Sequence, residues 1–477
     1  MKHPAPEDPS AASRADAAGG AVVELRVGAP AHGGHFVARH EGRVVFVRHS
    51  LPGELVRARL RADDASARFW RADAVEVLEA SPDRRPHPWA EADALRAAER
   101  GTLPVGGAEF GHIGLSRQRA LKGEVFAEQL HRLGGMDADA VGFAGVEAVD
   151  GEHPLGLGWR TRAAFSVDAA GRLAMNAHHS DVLVPVKDMP LATDAIRSLK
   201  PWDVPLPGIA RVEIAAPAAG GGVLVLLIAA PDAPAGSAER AARRLPDGVS
   251  VAAATQAAGS AADGKGSLRR LAGRTWVAEE AAGHAYRVTG EGFWQIHRRA
   301  PDVLVEAVTG LIAPSPGDAV ADLYAGAGLF TLPLAAAVGP EGLVYSIEGA
   351  PGTSRDARRN AHELPQARVR QGRVERLLRP AAAEAGRDGK RFSGVVLDPP
   401  RTGAGKAVVR QIAEAAPARI AYVSCDPASF ARDVADFARR GYRLASVRVL
   451  DLYPNTHHLE TVGLLVPSGP GPASHNG

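Results

Sequence analysis

The sequence predicts an α/β fold. A C-terminal, doubly wound, mainly parallel sheet follows a small N-terminal β-barrel and a central α+β domain. Three observations carry this. From Ala319 onward, apolar strand-like runs alternate with helix-length segments, the pattern of βαβ units. Between Val22 and Leu78, short alternating runs are separated by turn residues, the pattern of a small barrel. From Trp159 to Ile228 the chain reads as β again, after an amphipathic helical pattern at Leu115–Leu133.

Residues 1–20 are rich in Ala, Pro, Asp and Ser with no apolar run. They read as a disordered tail rather than a signal peptide. The barrel is expected over 21–80, with strands at Val22–Val27, His35–Ala38, Gly42–Arg48, Leu55–Leu60 and Phe69–Leu78. Its polar positions carry Arg39, Arg43, Arg48, Arg57, Arg59, Arg61, Arg68 and Arg71, close to Phe69 and Trp70. Arginines beside aromatics suit contact with an RNA backbone, and equally a solvated basic face.

The central domain is expected over 81–285, entered through the proline-rich linker Ser81–Pro88. Gly134-Gly135 ends its helix. Strands are expected at Arg162–Val167, Val182–Val186, Arg211–Ile214 and Gly222–Ile228, with weak signals from Ala229 to Gly264. His178-His179 has no further ligands at metal spacing, so a surface loop is expected there and no metal site. The third domain is expected over 286–467, with a disordered tail at 468–477.

Charged residues make up 23% and hydrophobic residues 45% of 477, with a net charge of +2. These are ordinary values for a soluble globular protein, and the charge alone does not mark a nucleic-acid binder. Cys425 is the single cysteine. It excludes a disulfide framework within the chain and any site needing several thiolates. A reducing cytoplasm is the expected setting. No apolar stretch is long enough to span a membrane, and a monomer is expected.

Residues with chemistry to offer concentrate in the third domain. Asp322-Leu323-Tyr324-Ala325-Gly326-Ala327-Gly328 joins a buried strand to a helix, and its glycines let a nucleotide-like ligand approach the backbone. Glu348 ends the next strand, where a carboxylate can accept ribose hydroxyls. The glycine pattern is an incomplete dinucleotide fingerprint. Asp322 just before it suits adenosylmethionine better, since there is no pyrophosphate to cradle.

Asp398-Pro399-Pro400-Arg401 follows a later strand, its prolines stiffening the loop. Arg401 stands where nitrogen-methylating enzymes carry an aromatic ring to stack on the base. Cys425 follows the apolar run Ile420–Val423 and precedes Asp426-Pro427, so it belongs at the carboxyl end of a strand, where such sheets bind ligands. A thiolate there can add to carbon 6 of a pyrimidine and make carbon 5 nucleophilic. A base must then remove the carbon 5 proton, and Glu460 in His457-His458-Leu459-Glu460 is the candidate.

Ser424-Cys425-Asp426-Pro427, Asp398–Arg401, His458–Glu460, Phe293-Trp294-Gln295 and Asp322–Gly328 together resemble the RNA uracil-5 methyltransferases. The N-terminal barrel is similar to the OB-like TRAM domain common in that family. The resemblance implies a Rossmann-like methyltransferase domain acting on structured tRNA or rRNA. It implies Cys425 as nucleophile, Glu460 as base, and Gln295, Tyr324, Glu348 and Asp398 as S-adenosylmethionine contacts, with Gly326 in the cofactor turn.

Some positions depart from the family pattern. Ala108 and Met189 stand where cysteine ligands of an iron–sulfur cluster are expected, so no cluster is expected here. Leu329 replaces a polar residue, and Arg373 lies where an acid often faces the adenine. Rival readings are an RNA nitrogen or exocyclic-amine methyltransferase, and a non-catalytic RNA-binding protein that keeps the fold.

Overall fold

A computed structural model describes residues 20–61, 67–178, 180–254 and 268–469. The expected tails lie almost wholly outside the described residues, as does His179.

Barrel strands form at Val22–Arg26, His35–His40, Arg43–Arg48, Leu55–Leu60 and Phe69–Glu79, with Pro30–Ala31 as an added two-residue strand. That strand is too short to show alternation and starts on a proline. Alternation turns Leu25, Phe36, Val45, Val47, Val56 and Ala72 into one apolar cluster. Gly28 N–H donates to Val37 O at 2.7 Å, and Val37 N–H to Ala29 O at 2.9 Å, closing the curled sheet. The expected arginine face is partly neutralised: Arg48 pairs with Asp73 at 2.6 Å and Arg57 with Glu76 at 2.9 Å. Arg43 lies over Trp70 and Arg71 over Phe69.

The central strands build a seven-stranded sheet with Leu183–Pro185 at one edge and Arg269–Ala272 at the other. The weakly patterned stretch after Ala229 supplies the helix Ser237–Ala242 and the buried strand Ser250–Ala254. That strand pairs in parallel with Leu224–Ala229. Its alanines carry too little apolar contrast to show a period.

The helix Leu115–Gln129 lies between the barrel and the third domain. Leu121 joins the barrel's apolar cluster, and Phe126 packs with Phe430 and Phe143. The helix widens into a π turn at Leu130–Gly134 and stops at Gly135, whose φ is 67°. Farther on, Val146–Glu147 pairs with Tyr442–Leu450, so this stretch of the expected central domain is built onto the C-terminal sheet.

In that sheet we label β1 (Ala319–Leu323), β2 (Leu343–Glu348), β3 (Ala367–Gln371), β4 (Phe392–Leu397), β5 (Arg419–Ser424), β6 (Tyr442–Leu450) and β7 (Glu460–Pro467). Their order is β3-β2-β1-β4-β5-β7-β6, with Val146–Glu147 outermost. The first five are parallel, and β7 runs antiparallel to both neighbours. Chain order reverses between β1 and β4, which places the ligand crevice at their carboxyl ends. Because β7 is antiparallel, its first residue lies at that same edge. Among the described residues, no helix is long and apolar enough to cross a membrane.

Candidate active site

The registers set the candidate residues in a row. β2 ends on Glu348, Tyr324 follows β1, Asp398 follows β4, Cys425 follows β5, and Glu460 begins β7. Leu323 pairs with both Ile347 and Leu397, so Tyr324 comes between Glu348 and Asp398. Ser424 pairs with Thr461, and one step farther sets Cys425 opposite Glu460.

Cys425 sits where a strand turns into a helix. Asp426 caps the helix Pro427–Ala438, its Oδ1 accepting the Ser429 N–H at 2.7 Å, with Pro427 in the first turn. The helix N-terminus favours a thiolate. Burial opposes it, and with the nearby Glu460 and Asp398 it pushes the thiol up to about 12, against the pull of Arg401. Glu460 is buried, and the Tyr453 O–H donates to its Oε2 at 3.0 Å. Burial, then Asp398, holds the Glu460 carboxyl well above the usual range. Asp398 is itself lifted to about 7 by burial and by Asp322. Three acidic groups share this edge, and their mutual repulsion favours keeping protons among them.

Gln295 Nε2 donates to Asp398 Oδ2 at 3.3 Å. The loop carrying Gln295 is tied to the central domain. The Thr161 N–H donates to Ile296 O at 2.8 Å, and Arg162 Nη1 to Gly292 O at 2.9 Å. Glu348 accepts the Gly326 N–H at 2.9 Å and the Ala350 N–H at 2.6 Å. Gly326 has φ 57° and Gly328 φ 94°. Tyr324, at φ 60°, adopts the same left-handed region at a cost a side chain ordinarily avoids. Phe293, Gln295, Tyr324, Gly326, Phe330 and Asp398 line a cleft here.

Asp322 stands just before the glycine turn. It is fully buried, and its Oδ2 accepts from Thr331 Oγ1 at 2.5 Å. Burial lifts it to about 7, and its Oδ1 has no protein partner. Leu329 is buried, and its carbonyl accepts the Tyr286 hydroxyl. Arg373 is exposed and reaches Glu375 at 3.4 Å. Ala108 and Met189 are both buried in one apolar cluster with Trp89 and Val105.

Comparison with known proteins follows the same lines. The family model described as tRNA (Uracil-5-)-methyltransferase matches residues 355–467, and the TRAM domain matches 18–75. An uncharacterized RNA methyltransferase of Streptomyces coelicolor is 40% identical over 95% of this chain and 94% of its own. One of Bifidobacterium longum is 36% identical over 93% of this chain and 96% of its own. The chain belongs to the tRNA (uracil-5-)-methyltransferase family. A solved structure, the tRNA (uracil-54, C5)-methyltransferase of Pyrococcus abyssi in complex with S-adenosyl-L-homocysteine, shares the fold. It covers 93% of this chain and 100% of its own at a TM-score of 0.65 and 20% identity.

The family's motifs do not point to the groups that hold the loop before β7. Lys122 Nζ bonds Asp451 Oδ1 at 2.6 Å with both side chains buried. Gln118 donates to Asn455 Oδ1 at 3.1 Å and accepts the Asn455 N–H at 2.8 Å. Glu109 bonds His457; with His458 these groups lie close enough to hold a metal ion, but the contact with His457 already accounts for Glu109. Arg401 donates to His458 Nε2 at 3.3 Å, and burial keeps His458 neutral by lowering it to about 3. Most of these contacts join residues hundreds of positions apart, so no local pattern announces them. Tyr453, seven residues before Glu460, is the exception that a reading of the loop could have found.

Lys122→Met is expected to leave Asp451 buried without its nearest cation, with Arg119 Nη1 at 3.6 Å. The loss should be about 3–5 kcal/mol, measured by chemical denaturation. An unchanged midpoint and slope would show that Asp451 does not depend on Lys122.

Proposed function

We propose that this protein transfers a methyl group from S-adenosylmethionine to carbon 5 of a uridine in tRNA or rRNA, through a covalent adduct of Cys425 at carbon 6. The observation that supports this reading is the strand register: Ser424 pairs with Thr461, which sets Cys425 opposite Glu460 at the ligand edge of the sheet, where Asp398 follows the neighbouring strand.

The residues present fit the methyl donor. Glu348 at the end of β2 offers its carboxylate to ribose hydroxyls. The left-handed Gly326 and Gly328 leave room for the nucleoside, and Gln295, Tyr324 and Asp398 line the rest of the cleft. Adenosylmethionine supplies the methyl group from its sulfonium. Cys425 gives its proton to solvent and its sulfur bonds to carbon 6, sending the ring electrons through carbon 5 to the carbonyl oxygen at carbon 4. The helix N-terminus and Arg401 favour the thiolate against burial and the acids Glu460, Asp398 and Asp426. Once carbon 5 carries the methyl group, Glu460 in its carboxylate form, made a stronger base by its raised pKa, takes the carbon 5 proton. The electrons of that bond restore the double bond, and the carbon–sulfur bond breaks. The Tyr453 hydroxyl orients Glu460 for this step.

The target base must leave its stack to reach Cys425. The barrel and central domain would grip folded RNA by shape and backbone. Every residue used comes from one chain, so a monomer would suffice. The test is incubation of the protein with RNA and labelled adenosylmethionine, followed by mass spectrometry of the nucleosides. The expected product is 5-methyluridine. A base methylated on nitrogen, or no methylated base with any tRNA or rRNA, would overturn the reading.

Tyr453→Phe removes the hydrogen bond to Glu460 while keeping the ring between Trp159 and His458. It is expected to lower kcat about tenfold with little change in KM for RNA. Steady-state kinetics check it, and an equal rise in KM at constant kcat would assign Tyr453 to binding.

A further inference from the structure

The cavity that opens on Cys425 is shared by three parts of the chain. The barrel contributes Ala31–Gly34, the helix Leu115–Gln129 contributes Lys122 and Val125, and the catalytic edge contributes Arg401 and His457 beside Cys425. A barrel that only grips RNA has no need to stand here.

Two contacts seat the barrel turn against the catalytic edge. His32 Nε2 lies 2.9 Å from Asp426 Oδ2, across 394 residues of sequence. Asp426 is the neighbour of Cys425 and the cap of its helix. Burial would raise the Asp426 carboxyl, yet the bonds from His32 and the Ser429 N–H hold it down to about 2. The second contact is at Gly34. A Cβ there would lie 3.0 Å from His457 Nδ1, at a backbone φ of 78°, so a side chain is disfavoured on both counts. The turn thus meets the residue after Cys425 at one end and the loop that leads to Glu460 at the other.

A base that has left its stack has lost the neighbours that held it flat, and the pocket has to replace them. Attack at carbon 6 also requires near-contact geometry, so a displaced wall costs rate rather than affinity. We propose that the barrel turn Ala31–Gly34 is part of the substrate pocket, the wall that holds the target nucleotide over Cys425, and that His32 is the positioning residue fixing that wall through Asp426. This rests on the reading of the site as an RNA methyltransferase and deepens it. The barrel then acts in the chemical step as well as in binding.

The experiment measures RNA affinity and single-turnover methyl transfer at saturating RNA and adenosylmethionine, for the full chain and for His32→Ala and His32→Gln. For His32→Ala, the expected Kd for RNA stays within about threefold, while the saturated rate falls about ten- to a hundredfold. His32→Gln, which can still donate to Asp426, is expected to recover most of that loss. Gly34→Ala, which pushes the turn off His457, is expected to show the same split between rate and affinity. Melting curves confirm that the variants fold.

An unchanged saturated rate for His32→Ala, or a loss confined to Kd, would overturn the proposal and leave the barrel as a grip alone. Equal losses in His32→Ala and His32→Gln would overturn the role of the bond to Asp426. The cysteine route is tested separately in the same assay by Cys425→Ala. Full transfer by that variant would overturn the route, while the ratio of His32→Ala to the unmodified protein still decides whether the turn is a wall.

Discussion

Cys425→Ala is expected to abolish methyl transfer, by on the order of 10⁴-fold or more, while leaving adenosylmethionine binding and the melting temperature nearly unchanged. The size follows from the chemistry. Carbon 5 of uracil is a poor nucleophile, and without sulfur at carbon 6 no other group in the row can raise its electron density. Removing a member of a covalent mechanism costs about as much as removing the mechanism. The fold should tolerate the change, because Cys425 is half-buried at a turn and its neighbour Asp426 keeps the helix cap. The measurement is single-turnover transfer to RNA, with calorimetry for the cofactor. Transfer at the rate of the unmodified protein would end the adduct mechanism and return attention to nitrogen methylation.

Glu460→Gln is expected to have the opposite signature: slow turnover with RNA trapped on the protein. With no base to take the carbon 5 proton, the carbon–sulfur bond cannot break, and turnover should fall about 10²–10⁴-fold. A band of covalently bound RNA in a denaturing gel, lost when Cys425 is also replaced, is the expected observation. A variant that turns over slowly without trapping RNA would place Glu460 before the adduct instead of after it.

The same variant carries a pH prediction. Burial raises the Cys425 thiol most, and Glu460 is the next cause in the same direction. Where Glu460 is ionised, a neutral amide removes that repulsion, so the thiol's pKa falls from about 12 and the thiolate fraction in that pH range rises. The pH profile of adduct formation should therefore move to lower pH in Glu460→Gln. An unmoved profile would mean that the two groups do not interact.

Much of the third domain was legible because its signals are local. The run Ile420–Val423 before Cys425 and Asp426-Pro427 after it mark a strand end and a helix start within a few residues. The glycines after β1 and the acid ending β2 fall in the order the parallel sheet requires. The order of Asp322 and the glycines leaves open where the Asp322 side chain goes: it is fully buried, with Oδ2 bonded to Thr331 and Oδ1 without a protein partner. The central domain was harder to read. Alanine-rich runs such as Ser250–Ala254 carry little contrast between faces, and the amphipathic pattern of Leu115–Gln129 gives the helix but not the third-domain surface on which Phe126 packs.

The sequence by itself determined the strands of the third domain's ligand edge, the turns at their ends, and the identity of the groups that stand there: the thiol, the carboxylates and the amide of Gln295. These follow from side-chain periodicity and turn chemistry, which act over a few residues. Only the tertiary structure decided that Cys425 faces Glu460, that Tyr453 holds Glu460, and that His32 of the barrel reaches Asp426. Those pairings depend on sheet order and on how separate parts of the chain pack together. Their energies come from burial and from bonds between distant residues, and no local pattern encodes them.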